Sequence, residues 1–150
     1  MIRIGLKTPL DAVPEIAGVG FDCLELPLRD VAALSEGEFA ELTEYLAYLN
    51  VRVGAVSDLI PDGLRVNGPA VSAQAQHDYL SLAFARANAL GADIAAFDAP
   101  KARAVPAGFD FALARRQTGN FLRIAQGHAA QAKLHIAVMN YRRAECNLIN

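Results

Sequence analysis

A short apolar run that changes abruptly into a polar, basic segment is the feature that most constrains this chain. The run spans residues 134–139, and the segment after it carries Arg142, Arg143 and one carboxylate, Glu145. This pattern is typical of a buried strand that opens into a loop at its carboxyl end. In parallel α/β proteins, ligands bind outside the carboxyl ends of the strands. We therefore expect functional residues in this segment and at the ends of earlier strands.

Strand patterns and helix patterns alternate along the chain. Short β-branched or apolar runs predict five strands, and stripes at helical spacing predict four helices between them. The predicted strands are 2–6, 23–28, 52–56, 94–97 and 134–139, and the predicted helices are 11–19, 35–49, 71–90 and 110–132. No linker or low-complexity tract interrupts this order, so we expect one domain over residues 1–150. A partial (β/α)8 barrel and a flavodoxin-like doubly wound sheet both fit the pattern.

Bulk composition excludes several classes of protein. The chain has 150 residues, of which 53% are apolar and 20% charged, which suits a globular domain with a substantial core. A net charge of −2, without basic clusters interleaved with aromatic residues, predicts no nucleic-acid partner. No stretch approaches about 18 apolar residues and no signal-peptide pattern opens the chain, so we expect no membrane segment. Cys23 and Cys146 lack metal-binding spacing and are expected to be reduced thiols of a cytoplasmic protein.

The three histidines form no recognisable metal motif. His77 lies near the start of an expected helix and has no second histidine four residues on. His128 falls on the apolar side of the last expected helix, where a histidine at the edge of the core is the ordinary interpretation. His135 opens the fifth strand at the end away from the expected ligand site. None of the three is predicted to be a ligand.

Four segments, in order and at suitable spacing, resemble the motifs of one known family. Residues 134–150 resemble I-E-P-L-N-R-x-E-x-N-x-I-N, 20–26 resemble a second strand, 54–69 resemble L-P-G-D-L-K-V-V-G-P, and 97–109 resemble F-G-S-G-x-A-R-x-V-P-x-G-F. This family is that of the xylose isomerase-like TIM barrels, sugar phosphate isomerases and epimerases that include the ketohexose 3-epimerases. The resemblance implies a (β/α)8 barrel, which typically needs about 250 residues. We therefore expect a barrel truncated after about five strands.

The resemblance implies roles for four side chains. Glu145 would be the catalytic carboxylate that moves a proton beside a sugar carbonyl, and Arg143 would contact the sugar. Glu25 would line the wall of the site, and Arg103 would meet a polar ligand. From the residues alone, Glu25 is equally well a paired structural acid and Arg103 a solvated loop charge.

The resemblance also implies a divalent metal such as Mn²⁺ or Mg²⁺. Met139 stands where the family has a glutamate ligand, and a thioether is a poor ligand for a hard cation. The other three family ligands come from the sixth, seventh and eighth strands. We therefore expect no cofactor and no metal site in this sequence.

Two functional hypotheses follow, and the question of enzyme activity stays open between them. The first is a sugar isomerase or epimerase-like protein whose metal-dependent proton transfer has been lost. The second is a non-catalytic half-barrel that acts as a scaffold, an assembly unit or a ligand-binding module. Because an open barrel leaves unpaired strand edges, we also expect self-association.

Overall fold

The computed structural model describes residues 4–148 and contains one parallel five-stranded sheet. The strands follow each other in the sheet in chain order, β1-β2-β3-β4-β5. Their bounds are Gly5–Lys7 (β1), Cys23–Pro27 (β2), Val53–Ser57 (β3), Ile94–Phe97 (β4) and His135–Val138 (β5). A flavodoxin-like sheet requires a reversal in strand order, so that alternative was wrong. The sequential parallel order is that of a barrel arc, as the partial-barrel prediction required.

Six α-helices accompany the strands within residues 4–148. They are Val13–Ile16 (α1), Leu28–Ala33 (α2), Glu36–Tyr48 (α3), Ala73–Ala89 (α4), Pro100–Arg103 (α5) and Phe111–Gln131 (α6). The spacing of Ser35 and Glu38 in the sequence predicts a capping box, and the structure shows it at the start of α3: the Ser35 side chain accepts from the Glu38 amide, and the Glu38 carboxylate accepts from the Ser35 amide. The side chains of Ser72 and Asp110 also cap α4 and α6, where they accept from the amides of Ala75 and Leu113 without a reciprocal bond.

The number of helices differs from the four predicted. The first helix is reduced to one turn of 3-10 helix at Leu10–Ala12 followed by α1. Helix α2 begins at Leu28, the last residue of the range predicted for the second strand, and no helix was predicted there. Helix α5 occupies the loop after β4, where Pro100 takes the first helical position that proline tolerates. Carbonyl oxygens at the end of α2 accept from the distant Arg86 side chain, a contact that local patterns do not contain.

The core lies between the sheet and the helices. Leu24 and Leu26 of β2 are buried on the side of Phe84 and Phe121, which come from α4 and α6. Side chains alternate along a strand, so Cys23 and Glu25 lie on the opposite face, called here the inner face.

No helix among residues 4–148 is both long enough and apolar enough to cross a bilayer.

Close packing shapes the inner face near its centre. A Cβ atom on Gly5 would lie 2.9 Å from the Cys23 sulfur, and one on Gly54 would lie 2.8 Å from it. The thiol therefore fills the space that two glycines leave. The register between β2 and β3 shifts at this level, where Leu24 pairs with Val53 but Glu25 pairs with Ala55. Gly54 is thus the extra residue of a bulge.

Candidate functional site

A cleft of about 590 Å³ opens at the carboxyl ends of β3 and β4. The loops that follow these two strands form its walls, as expected for a parallel sheet. Charged side chains of both signs line it, including Arg29, Asp58, Arg65, Asp98 and Lys101. A cleft with this balance of charge suits a polar ligand of low net charge.

Hydrogen bonds between loops hold the cleft walls in place. The Arg65 guanidinium donates to the carbonyl oxygens of Lys101 (3.0 Å) and Ala104 (2.9 Å), which joins the loop after β3 to the loop after β4. The Tyr79 hydroxyl of α4 donates to the Leu59 carbonyl at 2.7 Å. Burial raises the pKa of Tyr79, so it stays a neutral donor. These hydrogen bonds join the cleft walls to each other and to α4.

Lys7 crosses from the end of β1 to the carboxylates at the ends of β3 and β4. Its Nζ lies 3.1 Å from Asp58 Oδ2 and 3.7 Å from Asp98 Oδ2. Partial burial of Lys7 opposes its charged form, but the hydrogen bond to Asp58 and the charges of Asp58, Asp98 and Glu25 raise its pKa overall. Lys7 is therefore a protonated donor at neutral pH.

Asp58 has an uncommon backbone conformation. Its φ of 48° lies in the left-handed region, which aspartate tolerates better than most residues other than glycine. Its carbonyl accepts from the Arg29 amide at 3.2 Å, which connects the start of this loop to α2. The turn directs the Asp58 carboxylate toward Lys7.

Asp98 is the most buried carboxylate of the cleft. Its side chain is 9% exposed, and one of its oxygens faces Lys7. The other oxygen, Oδ1, is buried and has no hydrogen-bond partner among residues 4–148. A buried carboxylate oxygen without a donor is costly, so Oδ1 is an unsatisfied acceptor beside the cleft.

Tyr141 lies on the β5 side of the same group. Burial raises the pKa of its phenol and the negative charge of Asp98 adds to that increase, while Arg103 opposes it. The Arg103 guanidinium carbon lies 5.5 Å from the centre of the Tyr141 ring. The phenol is therefore neutral at neutral pH and can donate a hydrogen bond.

The structure brings one predicted site residue into this group. Glu25 is the register partner of Lys7 and contributes to its raised pKa. Arg103 is instead 4% exposed, stacks at 5.1 Å from the Phe97 ring and donates to the Met139 carbonyl at 2.7 Å. This hydrogen bond holds the end of β5 in place. A contact between Arg103 and a substrate stays a prediction.

The two remaining predicted residues lie in the segment after β5. Arg143 and Glu145 are both exposed, and the Glu145 carboxylate accepts from the Arg142 amide at 3.0 Å within its own turn. Asn147 anchors this segment, because its side chain exchanges two hydrogen bonds with the Val105 backbone, at 2.7 and 3.0 Å. The catalytic role of Glu145 and the sugar contact of Arg143 stay predictions.

Four residues of the group were missed by sequence reasoning: Lys7, Asp58, Asp98 and Tyr141. Each lies at or just after the carboxyl end of a strand, and that position was the available signal. What the sequence could not give was their distance from one another. Lys7 and Asp98 are 91 positions apart, and only the closing of the sheet into an arc brings them together.

The described residues do not fit the divalent metal that the resemblance implies. Among residues 4–148 there is no group of three or more His, Cys, Asp or Glu side chains that could hold a metal ion. Between the two aspartates the Lys7 ammonium already supplies a positive charge. Met139, which replaces the expected ligand, is 45% exposed and offers only a thioether.

Comparison with known proteins gave matches in structure alone. No protein-family model and no curated protein matches the chain. D-psicose 3-epimerase from Clostridium cellulolyticum H10, solved with D-tagatose, matches at a TM-score of 0.74 and 15% identity, over 99% of this chain and 56% of that one. D-allulose 3-epimerase from Methylomonas sp., solved with D-allulose, matches at 0.72 and 17%, over 94% and 52%.

A third match has a name of another kind. The AP endonuclease, family 2, from Brucella melitensis matches at a TM-score of 0.67 and 16% identity, over 96% of this chain and 57% of that one. In all three cases the chain spans little more than half the length of the matched protein. Identities this low show the fold alone. The chain therefore has the fold of a partial (β/α)8 barrel, as predicted from its motifs.

Proposed function

We propose that this chain binds a sugar or a related polyol in the cleft between the loops after β3 and β4. The observation that carries the proposal is Asp98 Oδ1, a buried carboxylate oxygen with no donor among residues 4–148. Sugar hydroxyls are the donors that such an oxygen requires. Lys7 supplies the complementary donor for a hydroxyl or carbonyl oxygen. The sugars in the two epimerase structures support this ligand class.

Charge favours a sugar over nucleic acid as the ligand. Asp58, Asp62 and Asp98 would repel a phosphate backbone, and they offset the positive charges of Arg29, Arg65 and Lys101 in the cleft lining. The Arg65 guanidinium, which could attract one, is engaged by two backbone carbonyl groups. The endonuclease match therefore does not carry DNA binding to this chain.

We further propose that the chain binds the sugar without epimerising it. Proton removal beside a carbonyl needs a base in the site with a pKa near the working pH. Lys7 has a raised pKa and is an acid at neutral pH, and the exposed Glu145 bonds to its own turn. Among residues 4–148 no group of three or more His, Cys, Asp or Glu side chains could hold the divalent metal that this chemistry uses.

Binding is tested by titrating the protein with D-allulose and D-tagatose in saturation-transfer NMR and calorimetry. A hydrogen bond to a charged acceptor is roughly twice as strong as a neutral one, so Asp98→Asn should weaken binding by about tenfold. Asp93→Asn is the matched control, because Asp93 is 62% exposed and pairs with Arg52 just before β4, at the opposite end of that strand. Equal losses in both variants, or binding of duplex DNA with no sugar binding, would contradict the proposal.

The absence of catalysis is tested separately. The protein is incubated with D-allulose and Mn²⁺, and the sugars are separated by chromatography. We expect no epimer above the level of a buffer blank. Epimer formation that disappears in Glu145→Gln would contradict this part and would restore Glu145 as the catalytic residue.

Self-association through β5 is proposed as well. In the described part of the chain, β5 pairs on one side only, and Val138 and Met139 are 42% and 45% exposed. An apolar strand edge of this kind pairs readily with a second copy. Light scattering at rising concentration should give a mass above that of one chain, and replacing Val138 with Lys should restore the monomer. A constant single-chain mass would refute it.

A further inference from the structure

Two histidines contact each other on the outer layer of helices, away from the cleft. His77 lies in the second turn of α4 and His128 in the last turn of α6. His77 Nδ1 lies 3.1 Å from His128 Nε2, and the ring centres are 5.3 Å apart at an interplanar angle of 70°. Sequence spacing could not reveal this pair, because 51 positions separate the two residues.

We propose that His77 and His128 form a binding site for a divalent transition metal that prefers imidazole nitrogen, such as Zn²⁺, Ni²⁺ or Cu²⁺. Zinc binds histidine nitrogen at about 2.0–2.1 Å in tetrahedral geometry, which places two such nitrogens about 3.3 Å apart. The observed separation of 3.1 Å is close to that value. Small side-chain rotations would direct both lone pairs at one ion.

Metal binding by the two histidines needs no other reactant, because the proton between the rings can stay on the same ring. In the metal-free protein one ring nitrogen must carry the proton of the shared hydrogen bond. When the metal binds, that proton moves through solvent to the other nitrogen of the same ring, and both facing nitrogens become ligands. Neither histidine then needs to change charge.

Water would supply the remaining ligands of the metal. A hollow of about 260 Å³ adjoins His128 and is lined in part by Ser81, Asn88 and Gln131. Their oxygen atoms can accept hydrogen bonds from metal-bound water. No carboxylate lines the hollow, which favours a borderline transition metal over Mg²⁺ or Mn²⁺.

Because the two histidines belong to different helices, the metal would fasten α4 to α6. An ion that binds the folded protein at one hundred times its Kd should raise the Tm by about 5–10 °C for a chain of this size. The shift should be largest for Cu²⁺ and smaller for Ni²⁺ and Zn²⁺, in line with the general affinity order.

The test measures thermal unfolding and calorimetric binding with Zn²⁺, Ni²⁺ or Mn²⁺, against a chelator blank. The native chain should bind Zn²⁺ and Ni²⁺ and gain stability, Mn²⁺ should give no shift, and His77→Ala and His128→Ala should each abolish the effect. His135→Ala is the matched control, because the third histidine of the sequence is exposed on β5 and should leave binding intact. Binding that survives both single variants, or that is lost equally in the control, overturns the proposal. Calorimetry measures metal binding directly, so the result can be interpreted even if a variant is less stable.

Discussion

Replacing Arg86 should destabilise the fold more than replacing any exposed arginine. Arg86 is a residue of α4 that is 5% exposed, and its Nη1 donates to the carbonyl oxygens of Val31 (2.9 Å), Ala32 (3.2 Å) and Leu34 (2.6 Å). These carbonyls belong to the end of α2, where intrahelical donors run out. One guanidinium from a distant helix therefore caps the carboxyl end of α2.

The magnitude follows from these contacts. Arg86→Met keeps the apolar stem but removes every donor and leaves the carbonyls of α2 without partners. Nη1 has two hydrogens for three acceptors, so we count two full bonds, each worth about 2 kcal/mol because the donor is charged. The free energy of unfolding should fall by about 4 kcal/mol, which lowers the Tm by roughly 8–16 °C in a chain of this length. Urea unfolding and a thermal scan give both quantities.

Two further variants decide whether the capping argument is correct. Arg86 also pairs with Glu36 at 2.7 Å, but the Glu36 side chain is 86% exposed. Glu36→Ala should therefore cost less than about 1 kcal/mol, as exposed ion pairs do. Arg123→Met, on the exposed face of α6, should cost at most about 0.5 kcal/mol. If Glu36→Ala costs as much as Arg86→Met, the ion pair and not the helix end is the source of stability.

Three other perturbations test the inner face, the last segment and the outer helices. Gly54→Ala should lower the free energy of unfolding by about 1–3 kcal/mol, because its Cβ would meet the Cys23 sulfur. Urea unfolding should show that the double variant with Cys23→Ala regains this stability. If the double variant regains none of it, the backbone and not the sulfur is the source of the loss. The Val105 amide donates to the Asn147 side chain, and this hydrogen bond is worth about 1.4 kcal/mol. Asn147→Ala should therefore speed hydrogen exchange at the Val105 amide by about tenfold. An unchanged exchange rate would show that Asn147 does not anchor the last segment. Burial and His77 lower the pKa of His128 in the folded state, so the unfolded chain takes up more protons and stability should fall as the pH drops through about 6.5 and below. Chemical unfolding of His128→Gln should show a flatter pH dependence, and an unchanged slope would contradict this origin.

Sequence patterns predicted the long elements well because their signals are local. The capping box at Ser35 and Glu38 needs only four consecutive residues, and the structure confirms both of its hydrogen bonds. The strand at Ile94–Phe97 has the bounds predicted for it, since its apolar run is flanked by aspartates. Helix α2 was missed for the opposite reason. The donor that closes it, Arg86, lies more than fifty positions away.

The same distinction applies to the candidate site. Arg103 carries a motif resemblance, but the carbonyl and rings that it contacts lie elsewhere in the chain, so its burial could not be predicted. Lys7 and Asp98 were visible as strand-end residues, yet nothing in the sequence indicated that they face each other. Position at a strand end predicts where a site lies, and three-dimensional distance decides which residues form it.

The charges in the cleft give a physical reason why this chain can have the fold without the metal-dependent chemistry that the family resemblance implies. A metal-dependent epimerase uses a divalent cation to hold sugar oxygens, and that cation needs carboxylate ligands. Here the carboxylates of Asp58 and Asp98 already face the Lys7 ammonium, whose pKa they raise. A divalent ion would have to displace a bonded positive charge to enter. The same ammonium can donate to a sugar oxygen while Asp98 Oδ1 accepts from a hydroxyl, so the arrangement suits binding of a sugar without the metal step.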